Sequence, residues 1–287
     1  MGKEHDLLSS KFSSEYEAIE AHLQKVMREW SPVPTAALKK LWDSVEYSLF
    51  SQGKRFRPLL AVLTAKACGA PASTVLPLAS AVELIHTYSL IHDDLPVMDD
   101  DDLRRGRPTN HKVYGEPLAL LAGDGLLTLS FYVLAKGLSA DPLAANVIEK
   151  VARAAGIEGM VGGQALDIAA NEPDEQTLND IHRMKTGALI QVSVEGAAVL
   201  SEASESQAED LAAYGRCLGL AFQLADDVQD AGEKIEKVNF VHHLGVEQTI
   251  QVLKKETDEG LRHLKNFGPE ADGLRFLLQM NLNRISL

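Results

Sequence analysis

The stretch AVELIHTYSLIHDDLPVMDDDDLRRGR, residues 81–107, changes character partway along. As far as Asp94 its apolar residues recur three and four apart, the period of a helix that buries a face. Pro96 cannot continue such a helix, and Asp, Arg, Gly and Pro dominate from Asp99 to Pro117. The reading is a helix from about residue 72 to Asp93 and Asp94 that breaks into the longest irregular piece of the chain. Outward from here the helical spacing returns almost everywhere. The SPVP of residues 31–34 stops a first helix, and Thr35 is placed to cap a second running towards Gln52 and Gly53. Gly69 and Pro71 separate a helix starting at Pro58 from the one described. Further helices are expected over 118–137, 142–169, 177–201, 206–231, 246–265 and 270–283. Alternating β-branched runs are hard to find, and no linker or internal repeat divides the sequence. The expectation is an all-α fold forming a single domain over residues 1–287. Segment 118–137 is apolar on most faces, as befits an element central to a bundle or shared with a second subunit.

Composition narrows the function. The 287 residues include 28 Lys and Arg against 41 Asp and Glu, a formal charge of −13, with 45% apolar residues. Such a chain buries a sizeable core without staples, and its charge gives no field for nucleic acid while leaving room for a local anion site. Cys68 and Cys217 are far apart and lack zinc-ligand spacing, so a reduced setting without structural zinc is expected. MGKEHDLLSS reads as neither a signal nor a transit peptide, and no uncharged apolar run approaches a membrane span, so a soluble cytoplasmic protein is expected.

Six aspartates lie between residues 93 and 102. A solvated acidic turn is the bland reading. Here, however, the cluster ends an apolar helix carrying His86 and His92, where like charges repel unless a cation neutralises them. The spacing is not that of an EF-hand, and carboxylates without Cys suit Mg²⁺ before Zn²⁺. A second cluster, Asp226-Asp227-Val228-Gln229-Asp230, sits in the helical string LGLAFQLADDVQD. At about 100° per residue Asp226 and Asp230 fall on one face, with Gln223 close to it. Asp93 and Asp99 share no face of a straight helix, and the break at Pro96 brings them together. Two carboxylate sets facing each other across a bundle core imply a diphosphate between them, because Mg²⁺ completes its shell with water and phosphate oxygens. Donors for that anion occur in two bursts, Lys54-Arg55-Phe56-Arg57 and Arg104-Arg105-Gly106-Arg107. Arg107 is equally suited to pairing with the neighbouring aspartates. His86 shares the face of Asp93 about two turns away, and Lys185-Thr186 adds a cation and a hydroxyl from another helix.

GKRFRP, HTYSLIHDDLPVMDDDDLRRGRPTNH, LAGD, GGQALDI, MKTGALI and FQLADDVQD, in this order, resemble the motifs of trans-isoprenyl diphosphate synthases, most closely the bacterial farnesyl diphosphate synthases. The resemblance is strong over about residues 40–231. It implies a bundle of about ten or more helices around a central cavity, a homodimer, and Mg²⁺, three ions with substrate bound. The substrates implied are isopentenyl diphosphate and dimethylallyl or geranyl diphosphate, joined head to tail. By resemblance Asp93, Asp94, Asp99, Asp226, Asp227 and Asp230 hold the metal ions, with Arg104 and Lys185 assisting. Lys54, Arg57, His86 and Arg105 hold isopentenyl diphosphate. Thr186 and Gln223 stabilise the allylic cation. Tyr88, five residues before Asp93, floors the cavity and goes with a C15 product.

After Asp230 the family usually continues through a lysine-bearing loop of GKxxGxD type, whereas this chain reads AGEKIEKVNFVHHLGVEQ and is shorter. Lys234 or Lys237 is the candidate substitute. Gln52 also replaces a usual Gly. A C20 synthase, or a weakly catalytic paralogue that binds diphosphate, are the alternatives; the second motif is not of the cyclase type.

Overall fold

The computed structural model describes residues 2–31, 35–170, 172–232 and 239–285. In chain order the helices are α1 (Gly2–Lys11), α2 (Ser13–Trp30), α3 (Ala36–Leu49), α4 (Phe56–Ala67), α5 (Leu76–Asp93), α6 (Asn110–Tyr114) and α7 (Glu116–Gly137). They continue as α8 (Ala144–Ala155), α9 (Met160–Ala169), α10 (Glu175–Ile181), α11 (Ala188–Leu200), α12 (Glu205–Gln229), α13 (Phe240–His263) and α14 (Asp272–Arg284). Two short strands, β1 (Leu103–Arg104) and β2 (Arg107–Pro108), form an antiparallel hairpin. The fold is all-α, as the periodicity indicates. The chain divides into two compact units, one of residues 1–59 and 76–144, the other of residues 60–75 and 145–287.

In the first unit α5 is buried on nearly every face, from Leu78 to Ile91, and packs against α2, α3 and α7. A polar clamp threads this apolar packing. Arg55 donates to Glu20 of α2 at 2.6 Å and to Glu83 of α5 at 2.8 Å, all within a setting that leaves Arg55 5% exposed. Burying these charges costs less when each meets an opposite one, and the clamp fixes the chain entering α4 relative to α5. Thr35 caps α3, accepting the Leu38 N–H. The expected stop at residues 32–34 lies outside the described residues, and α2 ends at Trp30. Helix α7 is long and apolar enough to cross a membrane by length and composition alone, but 44% of that window is buried within the protein. Its outward residues include Leu120, Leu121 and Tyr132.

The C-terminal end of α5 is keyed into α7. His92 lays its ring over Gly123, where a Cβ would stand 2.0 Å from Nε2, and Nε2 lies 3.0 Å from the Leu120 carbonyl. Only a residue without a side chain admits the ring so close to the helix.

In the second unit α12 is central, packed on α11, α13 and α14. Ser204 and Gln207 close a capping box at its start, and the Tyr214 hydroxyl donates to the Leu274 carbonyl at 2.8 Å. Two expectations need correction. The helix read over 142–169 is two helices, because Gly156 and Gly159 remove side chains where the chain turns and Ile157 is left 81% exposed. The helix read over 177–201 widens into a π-helical turn over His182–Gly187 between α10 and α11. The hairpin inside the irregular stretch was not expected. Its turn residues Arg105 and Gly106 both have positive φ, the condition for a tight two-residue hairpin connection.

His182 is enclosed beside Phe240, ring centroids 5.1 Å apart, and burial pulls its imidazole down to about 4. The unfolded chain therefore takes up a proton between about pH 6.5 and 4 that the folded chain refuses, so stability falls with pH through that window. Replacing His182 with Phe should flatten the decline by about 1–3 kcal/mol, measured as urea unfolding free energy at pH 4.5 against pH 7.5. Gly123→Ala should cost about 1–3 kcal/mol by thermal denaturation, and His92→Ala in the same chain should recover part of the loss by vacating the space the new methyl needs.

Candidate active site

The first acidic string is folded back on itself. Asp99 donates its N–H to the Asp93 carbonyl at 2.9 Å, and Asp100, at positive φ, donates to Leu95. Pro96 thus does what its position implied, returning Asp99 to the end of α5. Asp99 is exposed, Asp93 half-buried and Asp94 buried. Asp94 accepts from Arg104, which also reaches Asp101 at 3.1 Å. Burial, reinforced by Asp101 and Asp93 and opposed by Arg104, pushes the Asp94 carboxyl up to about 6. Lys112 takes Asp102 at 2.6 Å. The hairpin and α6 thus supply cations to Asp94, Asp101 and Asp102.

The basic residues of the same unit differ in their contacts. Arg55, one of the burst, is structural. Lys54 pairs with Glu4 of α1, and its carbonyl accepts from the Tyr16 hydroxyl. Arg105 packs over Gly53, where a Cβ would meet its Nη1 at 2.8 Å, and approaches the Ser51 hydroxyl at 3.4 Å. His86, on α5, lies among guanidinium groups. Burial first, and then Arg57, Arg105, Arg104 and Arg55, hold its imidazole well below the usual histidine range. A neutral ring amid this much positive charge is an arrangement suited to an anion. Arg107 lays its guanidinium 4.3 Å from the Tyr47 ring centroid and lines the same cleft as Asp94, Arg104 and Arg105. Tyr88 is 6% exposed and stacks edge-on to His92 at 5.6 Å. Burial and the nearby Asp93 push its hydroxyl up to about 12.

The second acidic set belongs to the other unit. Asp230 donates its backbone N–H to the Asp226 carbonyl, keeping the two one helical turn apart as the spacing required. Asp227 faces elsewhere. It is buried, accepts the Phe240 N–H at 2.9 Å, and so anchors the start of α13. Burial and the two flanking aspartates push it up to about 7, against that hydrogen bond. Gln223, three residues before Asp226, is half-buried. Lys234 and Lys237 lie outside the described residues.

Lys185 and Thr186 sit in the π-helical turn, a feature that recurs where a helix is reshaped for function. The turn is braced by α9. A Cβ on Gly163 would lie 2.2 Å from the Lys185 backbone nitrogen, so glycine permits helix and turn to touch. Asp167 of α9 accepts from Lys185 Nζ at 2.6 Å. The GGQALDI string, in which no spacing rule singles out individual residues, supplies Gly163, Gln164 and Asp167. Both polar atoms of the Gln164 side chain are buried without a hydrogen-bond partner, an expense that a ligand would relieve. Arg284 of α14 was also missed. It pairs with Asp226, and no spacing rule links residues 58 apart.

Magnesium fits the chemistry of these donors, which are carboxylate oxygens. Among the described residues no three His, Cys, Asp or Glu side chains gather as a closed metal cluster. Protein ligands one or two at a time, with the shell completed by water and phosphate, is how Mg²⁺ is ordinarily held.

The model of the polyprenyl synthetase family matches residues 38–240. The farnesyl diphosphate synthase of Geobacillus stearothermophilus is 42% identical, over 84% of this chain and 87% of that one. A chloroplastic geranylgeranyl pyrophosphate synthase large subunit of a heterodimer from Arabidopsis thaliana is 39% identical, over 83% and 70%. Among solved structures, an FPP/GFPP synthase from Zymomonas mobilis superposes with a TM-score of 0.86 at 38% identity, covering 94% of this chain and 99% of that one. A geranyltransferase from Legionella pneumophila gives 0.89 at 33%, covering 98% of each. Motifs, helical fold and these likenesses agree, and the chain belongs to the polyprenyl synthetase family of prenyltransferases.

Proposed function

We propose that this protein condenses isopentenyl diphosphate with dimethylallyl or geranyl diphosphate to give farnesyl diphosphate. The observation that carries the reading is the neutral His86 among arginines, in the same unit as an acidic string that Pro96 has folded back to expose Asp99. Lys54, Arg57, His86 and Arg105 bind isopentenyl diphosphate in this reading. Asp93, Asp99, Asp226 and Asp230 hold Mg²⁺ for the allylic diphosphate, three ions in all, while Asp94 and Asp227, tied to Arg104 and the Phe240 N–H, brace them and complete the set. When bound, magnesium neutralises the charge that collects on the departing diphosphate.

Arg104 and Lys185 add fixed positive charge at the same leaving group, which lowers the cost of breaking the allylic C–O bond. Lys185 must give up Asp167 to do so fully, or share it. Thr186 and Gln223 present dipoles to the allylic cation without a nucleophile that would trap it. The double bond of isopentenyl diphosphate then forms the new C–C bond, and the proton lost afterwards passes to the released diphosphate. No side chain is needed as a general base. Tyr88 closes the apolar end of the cavity and limits the product to C15. The outward Leu120, Leu121 and Tyr132 of α7 suit burial against a second copy, giving a homodimer. A cytoplasmic location accords with the reading.

A C20 product is the second reading, favoured by the geranylgeranyl synthases among the similar proteins. Incubation with Mg²⁺, isopentenyl diphosphate and each allylic starter, followed by phosphatase and chromatography of the alcohols, separates the two. The expected product is C15. Tyr88→Ala should shift it towards C20, and an unchanged C15 profile would refute the floor. Asp93→Ala and Asp226→Ala should each lower kcat by at least about 10²-fold, the scale for losing one charge-stabilising group, and retained turnover in the double variant would end the mechanism.

A further inference from the structure

Arg284 lies near the end of α14, yet its side chain is only 6% exposed. It is held from three sides by one stripe of α12. Nη2 pairs with Asp226 and donates to Gln229 Oε1 at 2.7 Å, and the guanidinium carbon stands 5.0 Å from the Phe222 ring centroid. Gln229 answers by donating to the Arg284 carbonyl at 3.3 Å. Residues 222, 226 and 229 are four and three apart, so the helix presents them as a row matched to one planar cation.

We propose that Arg284 is the resident counter-ion of the second acidic set, occupying Asp226 when no metal is present and competing with Mg²⁺ for it. This rests on the reading of Asp226 as a magnesium ligand. A carboxylate beside Asp227 and Asp230 repels its neighbours, and a guanidinium that stays with the chain relieves the repulsion before metal arrives. The same contact makes metal binding a replacement: Asp226 oxygen that faces Arg284 is unavailable to the ion until the pair opens or shifts. Arg284 thus sets the metal concentration at which the second set loads.

The test is titration of the full chain with Mg²⁺ at a fixed level of inorganic pyrophosphate, read by calorimetry and by the shift in melting temperature. Arg284→Gln, which keeps the length and polarity but removes the charge, should bind Mg²⁺ about two- to five-fold more tightly and gain a larger melting shift from it, while melting at a lower temperature without metal. Arg284→Lys should stay near the parent, and Arg262→Gln, which removes an exposed charge paired with Glu259, should leave the titration unchanged. Equal or weaker Mg²⁺ affinity in Arg284→Gln overturns the proposal while the function stands. Absence of Mg²⁺ binding in the parent chain itself overturns both.

Discussion

A carboxylate withdrawn from water needs an opposite charge or a hydrogen-bond donor within a few ångströms, and that requirement organises this molecule. Glu83 is met by Arg55, Asp94 by Arg104, Asp167 by Lys185 and Asp226 by Arg284. Each pair ties a segment bearing candidate site residues to a different helix or turn. The Arg55 clamp sets the chain that carries Lys54 and Arg57, and the Arg104 pair sets the hairpin against the end of α5. Such pairs add little net stability, since desolvation consumes most of their attraction. Their effect is positional: breaking one leaves an unpaired charge, so the side chains are held in one arrangement.

These pairs also mean that a chain without substrate is not a set of bare charges waiting for one. Lys185 on Asp167 and Arg104 on Asp94 already have partners, and in the proposed reading a diphosphate must offer each cation more than it gives up. The Gln164 amide is informative by contrast, since both its polar atoms are buried without a hydrogen-bond partner. An enzyme that ionises a substrate profits from charges fixed before the substrate enters, because they need no reorganisation at the moment of reaction.

Much of this was legible in the sequence, and the reason is local. The turn at Pro96 that returns Asp99 to Asp93, the cap at Thr35 and the one-turn relation of Asp226 to Asp230 depend on residues a few positions apart, where backbone geometry is decided by residue type. The division of 142–169 at Gly156 and Gly159 was equally local and was passed over, since glycines inside an apolar period are tolerated in many helices. What could not be read were contacts set by packing. Arg55 and Arg57 look interchangeable in KRFRP, and only burial between Glu20 and Glu83 assigns the first to structure. Asp227 looks equivalent to Asp226 until the Phe240 N–H is found on it.

Glycine marks the places where long-range packing left a trace that sequence reasoning had no means of using. Gly123 in LAGD admits the His92 ring, and Gly163 in GGQALDI admits the π-helical turn that carries Lys185 and Thr186. In both, the absence of a side chain on one helix fixes the position of a charged or polar group on another. A helix surface that must be approached this closely cannot carry even a methyl group without a shift of its neighbour. In this chain the candidate chemistry lies in acids and bases, and glycines such as Gly123 and Gly163 set where the helices that carry them can meet.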